Sequence, residues 1–241
     1  MQPYFFPYLG YFQLINESKK FILYDKVSFR KESWITRNRI LEKGSGLTSM
    51  IQMPSKNKSS YKLISEMQID ESKSWRKKIL NQLFLSYKKS AHFDEVYPML
   101  ESCINNKNSM IQEYNSELIK KICTYLEIDT DIVCDNNYAT DIERNLEMRA
   151  TKNQLHKKTQ RVIDLCKFHD MQNYLNPING TDLYSKEDFK RMGYTLNFIE
   201  MSVFNYEQFN HPFTSHLSII DVLFHLGKSG TISILNQFKI H

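Results

Sequence analysis

Arg37 and Arg39 flank Asn38 just behind Trp34, in a stretch from Tyr24 to Arg39 that alternates aromatic and charged residues. A guanidinium fork binds a carboxylate or phosphate through two parallel hydrogen bonds, and an indole beside it covers a sugar or a base. The combination suits an anionic, ring-bearing small molecule. Its plain alternative is a solvated basic loop with one anchoring tryptophan. Asp25 closes the apolar run Phe21–Tyr24, at the end of a strand where open α/β sheets hold ligands. Upstream, Gln2-Pro-Tyr-Phe-Phe-Pro-Tyr-Leu-Gly-Tyr-Phe-Gln13 combines two prolines, a glycine and several aromatic rings. A strand-to-helix turn at Gly10 and Tyr11 would present backbone N–H groups to an anion. The alternative there is an aromatic-rich start to the core.

Further along, Lys157-Lys-Thr-Gln-Arg161 opens a helical pattern. Basic side chains at that end oppose the helix dipole, which hints that an anion approaches Thr159 and Arg161. The loop Asn176-Pro-Ile-Asn-Gly-Thr-Asp-Leu-Tyr184 is polar and turn-rich, with Asp182 and Tyr184 available. A solvated helix face and a surface turn are the respective alternatives. The seven histidines, His211 and His216 among them, match no metal-ligand spacing, so no metal is expected. GxSxG, Walker A, GxGxxG, HExxH and EF-hand patterns do not occur.

The elements that must position these residues follow from periodicity and breakers. Gly10–Asn16 reads as a short helix and Phe21–Tyr24 as a buried strand. Lys43-Gly-Ser-Gly46 reads as a turn, Leu47–Met53 as a strand stopped by Pro54, and Ser55–Ser60 as a polar loop. Trp75, Ile79, Leu80, Leu83, Phe84 and Tyr87 share one helical face, as do Met110, Ile111, Tyr114, Leu118, Ile122 and Tyr125. Residues 65–127 thus form a helical insertion or layer. Strand patterns at 132–134, 173–175 and 194–199 then alternate with helices at 155–168, 185–192 and 218–226. Ser185 and Ser218 are the caps of the last two helices. The expected fold is a single α/β domain over 1–241 with a mostly parallel, Rossmann-like sheet.

Hydrophobic residues at 41% and aromatics at 13% exclude a disordered chain. A net charge of +5 is too small a surplus for a dedicated nucleic-acid binder, so DNA is not expected as a partner. Cys103, Cys123, Cys134 and Cys166 form no CxxC and read as reduced thiols. No apolar stretch reaches the roughly 20 residues of a membrane span. The aromatic start lacks a basic n-region and a small-residue cleavage site, so a cytoplasmic location is expected.

The Gln2–Phe12 block, Asp25 with Phe29, and Trp34-Ile-Thr-Arg-Asn-Arg-Ile40 resemble the WbqC-like family. Tyr206-Glu-Gln-Phe, Leu217-Ser-Ile-Ile-Asp-Val-Leu-Phe, Gly227 and Thr159-Gln-Arg-Val-Ile-Asp-Leu-Cys166 resemble it as well. The resemblance spans nearly the whole chain and implies bacterial O-antigen or surface-polysaccharide biosynthesis. The activity it suggests is transfer of an acyl or aminoacyl group, glycine in particular, to an amino sugar or nucleotide-linked sugar. The alternative is a non-catalytic sugar-nucleotide binding or assembly protein. Two departures stand out. The first strand expected before Gln2-Pro is missing, and Asn176-Pro177 replaces a small Ser-Gly pair. Tyr8-Leu-Gly-Tyr11 is also similar in placement to the HIGH motif of nucleotidyltransferases, without its histidines. The expected substrate-binding set is Gln2, Tyr4, Gly10, Tyr11, Trp34, Arg37, Asn38, Arg39, Thr159, Arg161, Tyr184, Ser218 and Asp221. Asp25 or Asp182 would orient or deprotonate the sugar amine. The expected partners are an anionic nucleotide sugar or acyl donor and a carrier protein. No cofactor is identified beyond a nucleotide or an activated aminoacyl donor.

Overall fold

Pro3 and Pro7 withhold backbone donors and keep the first residues out of regular structure. The first helix, α1 (Leu9–Glu17), therefore starts just behind them, followed by β1 (Lys20–Ile22), β2 (Arg37–Leu41) and β3 (Thr48–Gln52). Three helices come next: α2 (Trp75–Tyr87), α3 (Phe93–Ile104) and α4 (Ile111–Tyr125), all within the segment expected to be helical. The chain continues with β4 (Asp131–Val133), α5 (Ala139–Arg144), α6 (Leu146–Lys152), α7 (Lys157–Phe168) and β5 (Asn173–Pro177). It ends with α8 (Lys186–Arg191), β6 (Thr195–Met201), α9 (Ile219–Ile234) and β7 (Phe238–Ile240). The computed structural model describes residues 1–42, 44, 46–56, 61–202, 205–209 and 212–241. Lys43 and Ser45 of the expected turn, residues 57–60 of the expected loop, and His211 lie outside them.

The chain, expected as one domain, forms two compact units. One joins Met1–Cys134 with Val203–Asn236, and the other joins Asp135–Ser202 with Gln237–His241. The class is mixed α/β. Among the described residues the strands form three small sheets rather than one mostly parallel sheet. Pairs β1–β4 and β5–β6 are parallel, while β2–β3 and β6–β7 are antiparallel. A short connection joins β2 to β3, and a short connection permits an antiparallel hairpin but no parallel crossover.

In the first unit, Trp75, Ile79, Leu83 and Tyr87 bury one stripe of α2, and the Phe5 ring packs edge-on to Trp75 at 6.4 Å. Tyr114 of α4 joins both rings, at 6.3 and 5.6 Å. Burying such side chains stabilises the fold by roughly 1.5–3 kcal/mol each. Helix α9 breaks at Gly227, whose φ of 63° takes it out of helical geometry. A Cβ there would meet His92 Nδ1 at 2.4 Å, so glycine is needed for both conformation and space. Met1 lies along β1: its amine donates to Ile22 O at 2.7 Å, and Tyr24 N donates to Met1 O at 2.7 Å. Burial lowers that amine's pKa to about 5. In the second unit, Val162, Ile163 and Cys166 of α7 pack with Phe189, Leu196 and Phe198.

Candidate functional site

The N-terminal block is locked from inside the first unit. Phe6 sits in the left-handed region at φ 43°, a strained position for a phenylalanine. Its carbonyl accepts from Asn38 Nδ2 at 2.6 Å and from Ser218 Oγ at 2.8 Å. Asn38 Nδ2 also reaches Phe5 O at 3.1 Å, and Asn115 Nδ2 donates to Pro3 O and Ile35 O at 2.9 and 2.8 Å. Phe5 N bonds Trp34 O and Ile219 N bonds Pro7 O, each at 2.8 Å. Asn38 and Ser218, expected on a ligand, are 5% and 0% exposed and spend their side chains on this loop. The reason is the strand's two-residue period, which turns Asn38 inward when its neighbours turn outward.

That same alternation puts Arg37 and Arg39 together on the outer face of β2, opposite Gln52 and Met50 of β3. The Arg39 guanidinium lies 5.8 Å from the Trp34 ring centroid, and Trp34 is 42% exposed. Protein acceptors for the two forks are distant. Arg39 Nη2 reaches His216 O at 3.5 Å, and Arg37 Nη1 lies 3.7 Å from Glu32 Oε2. Among the described residues neither Nε has an acceptor, although both are shielded from solvent. The Tyr8 and His216 rings stack at 6.1 Å beside Arg39. A Cβ at Gly10 would come within 2.5 Å of the Tyr8 ring, so glycine lets that ring lie over the first turn of α1. Burial raises the pKa of the Tyr4 and Tyr8 hydroxyls, and Tyr4 raises Tyr8 further. The result is a cationic, aromatic face: Tyr8, His216, Arg39, Trp34 and Arg37.

Behind it lies Asp221, fully buried. It accepts from Tyr87 Oη at 2.8 Å, Tyr206 Oη at 2.7 Å and Gln208 Nε2 at 2.8 Å. His225 Nε2 stands 3.7 Å away. Burial holds the Asp221 carboxyl above the usual carboxylate range, against the opposing pull of its donors and of His225. Burial lowers His225, with Asp221 pulling the other way. Asp221, expected to contact substrate, is enclosed by its own neighbours.

Asp25 is 5% exposed, and its carbonyl accepts from Ser65 N at 3.2 Å. The Tyr11 hydroxyl, buried, donates to Gln2 O at 2.8 Å. The other expected residues belong to the second unit. Thr159 is buried, Asp182 is exposed, and Tyr184 is half-buried with its ring edge-on to Tyr174 at 5.9 Å. Arg161 is taken up by Glu143, Nε to Oε1 at 2.5 Å and Nη2 to Oε2 at 2.9 Å. A concavity of about 490 Å³ between α2 and α3, with Lys73, Lys77 and Tyr97 in its wall, shares no residue with the arginine face. Among the described residues no group of three or more His, Cys, Asp or Glu could hold a metal. Nor is any helix there long and apolar enough to cross a membrane.

Residues 2–232 match the model of the WbqC-like protein family. The chain belongs to that family. This WbqC-like protein is also 26% identical over 230 residues to "Uncharacterized protein Rv1507c" of Mycobacterium tuberculosis (strain ATCC 25618 / H37Rv). That alignment covers 94% of this chain and 92% of the relative. No solved structure matches it. The family's two end blocks meet in space: the Gln2–Phe12 segment is clamped by Ser218 at the start of α9. Sequence reasoning missed Tyr8 and His216 as members of the face. The aromatic block offered Tyr8 as one ring among several, and nothing near His216 signals its partner. Tyr206 and Gln208 stand in a stretch that resembles the family, yet their service to Asp221 depends on contacts 15 and 13 positions away.

Proposed function

We propose that this WbqC-like protein binds a nucleotide-linked amino sugar on its arginine face. It transfers an acyl or aminoacyl group, glycine in the family's suggested reading, to that sugar during bacterial surface-polysaccharide assembly in the cytoplasm. The observation that carries the binding step is the pair of outward guanidinium groups on β2 whose Nε donors lack acceptors among the described residues. A diphosphate would accept from the Nη groups, whose protein contacts are only 3.5 and 3.7 Å, in a geometry a fork matches. Trp34 and the Tyr8–His216 stack offer surfaces for a base or sugar ring.

In the transfer the sugar amine attacks the activated acyl carbon. A C–N bond forms, the bond to the donor's leaving group breaks, and the amine loses one proton. The donor is an aminoacyl carrier protein or an acid activated by ATP. Asp25 at 5% exposure is poorly placed to take the proton, which favours a second reading: a binding or assembly protein of the same pathway. Calorimetric titration with UDP-glucosamine tests the common step. Saturable binding that weakens in Arg37→Ala and Arg39→Ala is expected, and no binding by the wild type would overturn both readings. Incubation with glycyl donors, followed by mass spectrometry of the sugar nucleotide, separates them: a glycyl adduct identifies the transferase.

A further inference from the structure

We propose that Asp221 is a positioning residue for the arginine face, holding Arg39 in place by fixing, through hydrogen bonds, the two backbone segments on either side of it. These bonds can be followed atom by atom. Asp221 accepts from Tyr87 Oη at 2.8 Å, and that hydroxyl oxygen accepts from Leu41 N at 3.0 Å, fixing the end of β2. On its other oxygen Asp221 accepts from Tyr206 and Gln208. Gln208 grips Thr214 twice, accepting from its N–H at 2.7 Å and donating to its carbonyl at 3.2 Å. Two residues on, the His216 carbonyl faces Arg39 Nη2 at 3.5 Å, and Ser218 N donates to Arg39 O at 2.9 Å. His216 itself has φ 58°, a conformation that persists where its surroundings hold it. Arg39 is thus tied to Asp221 from both directions, whereas Arg37 sits on the same strand with Glu32 as its partner.

A carboxylate enclosed by the rings of Tyr87, Tyr206 and His225 is a costly way to fill space, and three donors converge on it. Satisfied polar networks of this kind fix one geometry among the many that an apolar core tolerates. Here the geometry fixed is that of the segment carrying His216 against β2. The assignment rests on the anion-binding reading of the face.

The test is a pair of double-mutant cycles on the full chain, with uridine diphosphate as the probe and calorimetry as the readout. Asp221→Asn keeps the shape and loses one acceptor, so affinity should fall about tenfold. Added to Arg39→Ala, the same change should cost less than about threefold more, because the group it positions is gone. Added to Arg37→Ala it should keep its full effect. A role confined to stability would leave the two combinations equal, and equal combinations overturn the proposal. Should Asp221→Asn not fold, Tyr206→Phe removes one donor and runs the same cycles. Should the wild type not bind uridine diphosphate, the anion reading fails and amide exchange judges the network. The amides of Leu41 and Thr214 should exchange about tenfold faster in Asp221→Asn, with α4 unchanged. Unchanged exchange at both overturns the proposal.

Discussion

Two pairs of arginines, one pair in each unit, are used in opposite ways. In the second unit, Arg161 gives two short hydrogen bonds to the Glu143 carboxylate. Arg149 there donates to Asp164 Oδ2 at 3.0 Å and to Ile142 O at 2.5 Å. Both forks are consumed holding helices α5, α6 and α7 together. In the first unit, Arg37 and Arg39 have contacts at 3.7 and 3.5 Å and Nε groups without acceptors among the described residues. All four residues are partly exposed, and three lie in stretches that read as anion-binding from sequence. What separates them is saturation. A fork that already has its carboxylate is structural, and one left with unused donors beside an aromatic surface is available to a ligand.

The sharpest cut through this comparison is Asn38→Ala, between the two arginines. It removes both side-chain bonds to the strained Phe5–Phe6 loop and leaves the Phe5 carbonyl without that donor. Each lost buried bond costs about 1–3 kcal/mol, so unfolding in urea should show a loss of about 3 kcal/mol. Its neighbours should behave oppositely. Arg37→Ala and Arg39→Ala should each weaken uridine diphosphate by about 1.5–3 kcal/mol, one to two decades, as loss of a charged hydrogen bond does. Their unfolding free energies should stay within about 0.5 kcal/mol of wild type. Arg161→Ala should reverse that pattern, losing about 1 kcal/mol of stability with uridine diphosphate affinity unchanged. If it weakened binding as well, saturation would not be the discriminating feature.

Legibility from sequence followed the strength of the periodic signal. The stripes of α2 and α4 were readable because four-residue spacing persists over several turns. The Ser185 cap was readable from a single residue with a strong backbone preference. Strand β2 was not, because Arg37-Asn-Arg39 has no apolar alternation: its inward residue is an asparagine serving backbone carbonyls. Missing that strand hid the division of labour within it. Asn38, Ser218 and Asp221 were grouped with ligand-binding residues because the same polar groups serve a ligand or an internal network. Which they serve is decided by long-range partners. The sheet was misjudged for a related reason: β1 and β4 were legible as apolar runs, but which strand pairs with which is decided by long-range contacts, and β7, three residues long, is too short for a period-two pattern to declare itself.

The smallest expected effect concerns pH and the network behind the arginine face. Burial lowers the pKa of His225 below its ordinary 6.5, with Asp221 and Glu207 opposing. The unfolded chain therefore takes up this proton more readily than the folded one. Its contribution to stability is present above about pH 6.5 and is lost as pH falls below it. Asp221 has the opposite sign. Its folded pKa is raised above 3.8, so its contribution is present at low pH and is lost as pH rises through the folded value. The two partly cancel in the wild type, so the curve of one protein alone would mislead. Comparing His225→Gln with wild type isolates the histidine, because the remaining histidines titrate in both. Thermal midpoints from pH 8 to pH 5 should fall more steeply in the wild type, by about the few degrees that 1 kcal/mol represents in a chain of this size. Parallel curves would mean that His225 ionises as freely in the fold as outside it. The imidazole beside Asp221 would then be open to water, and the carboxylate's enclosure would be looser than its three hydrogen bonds imply.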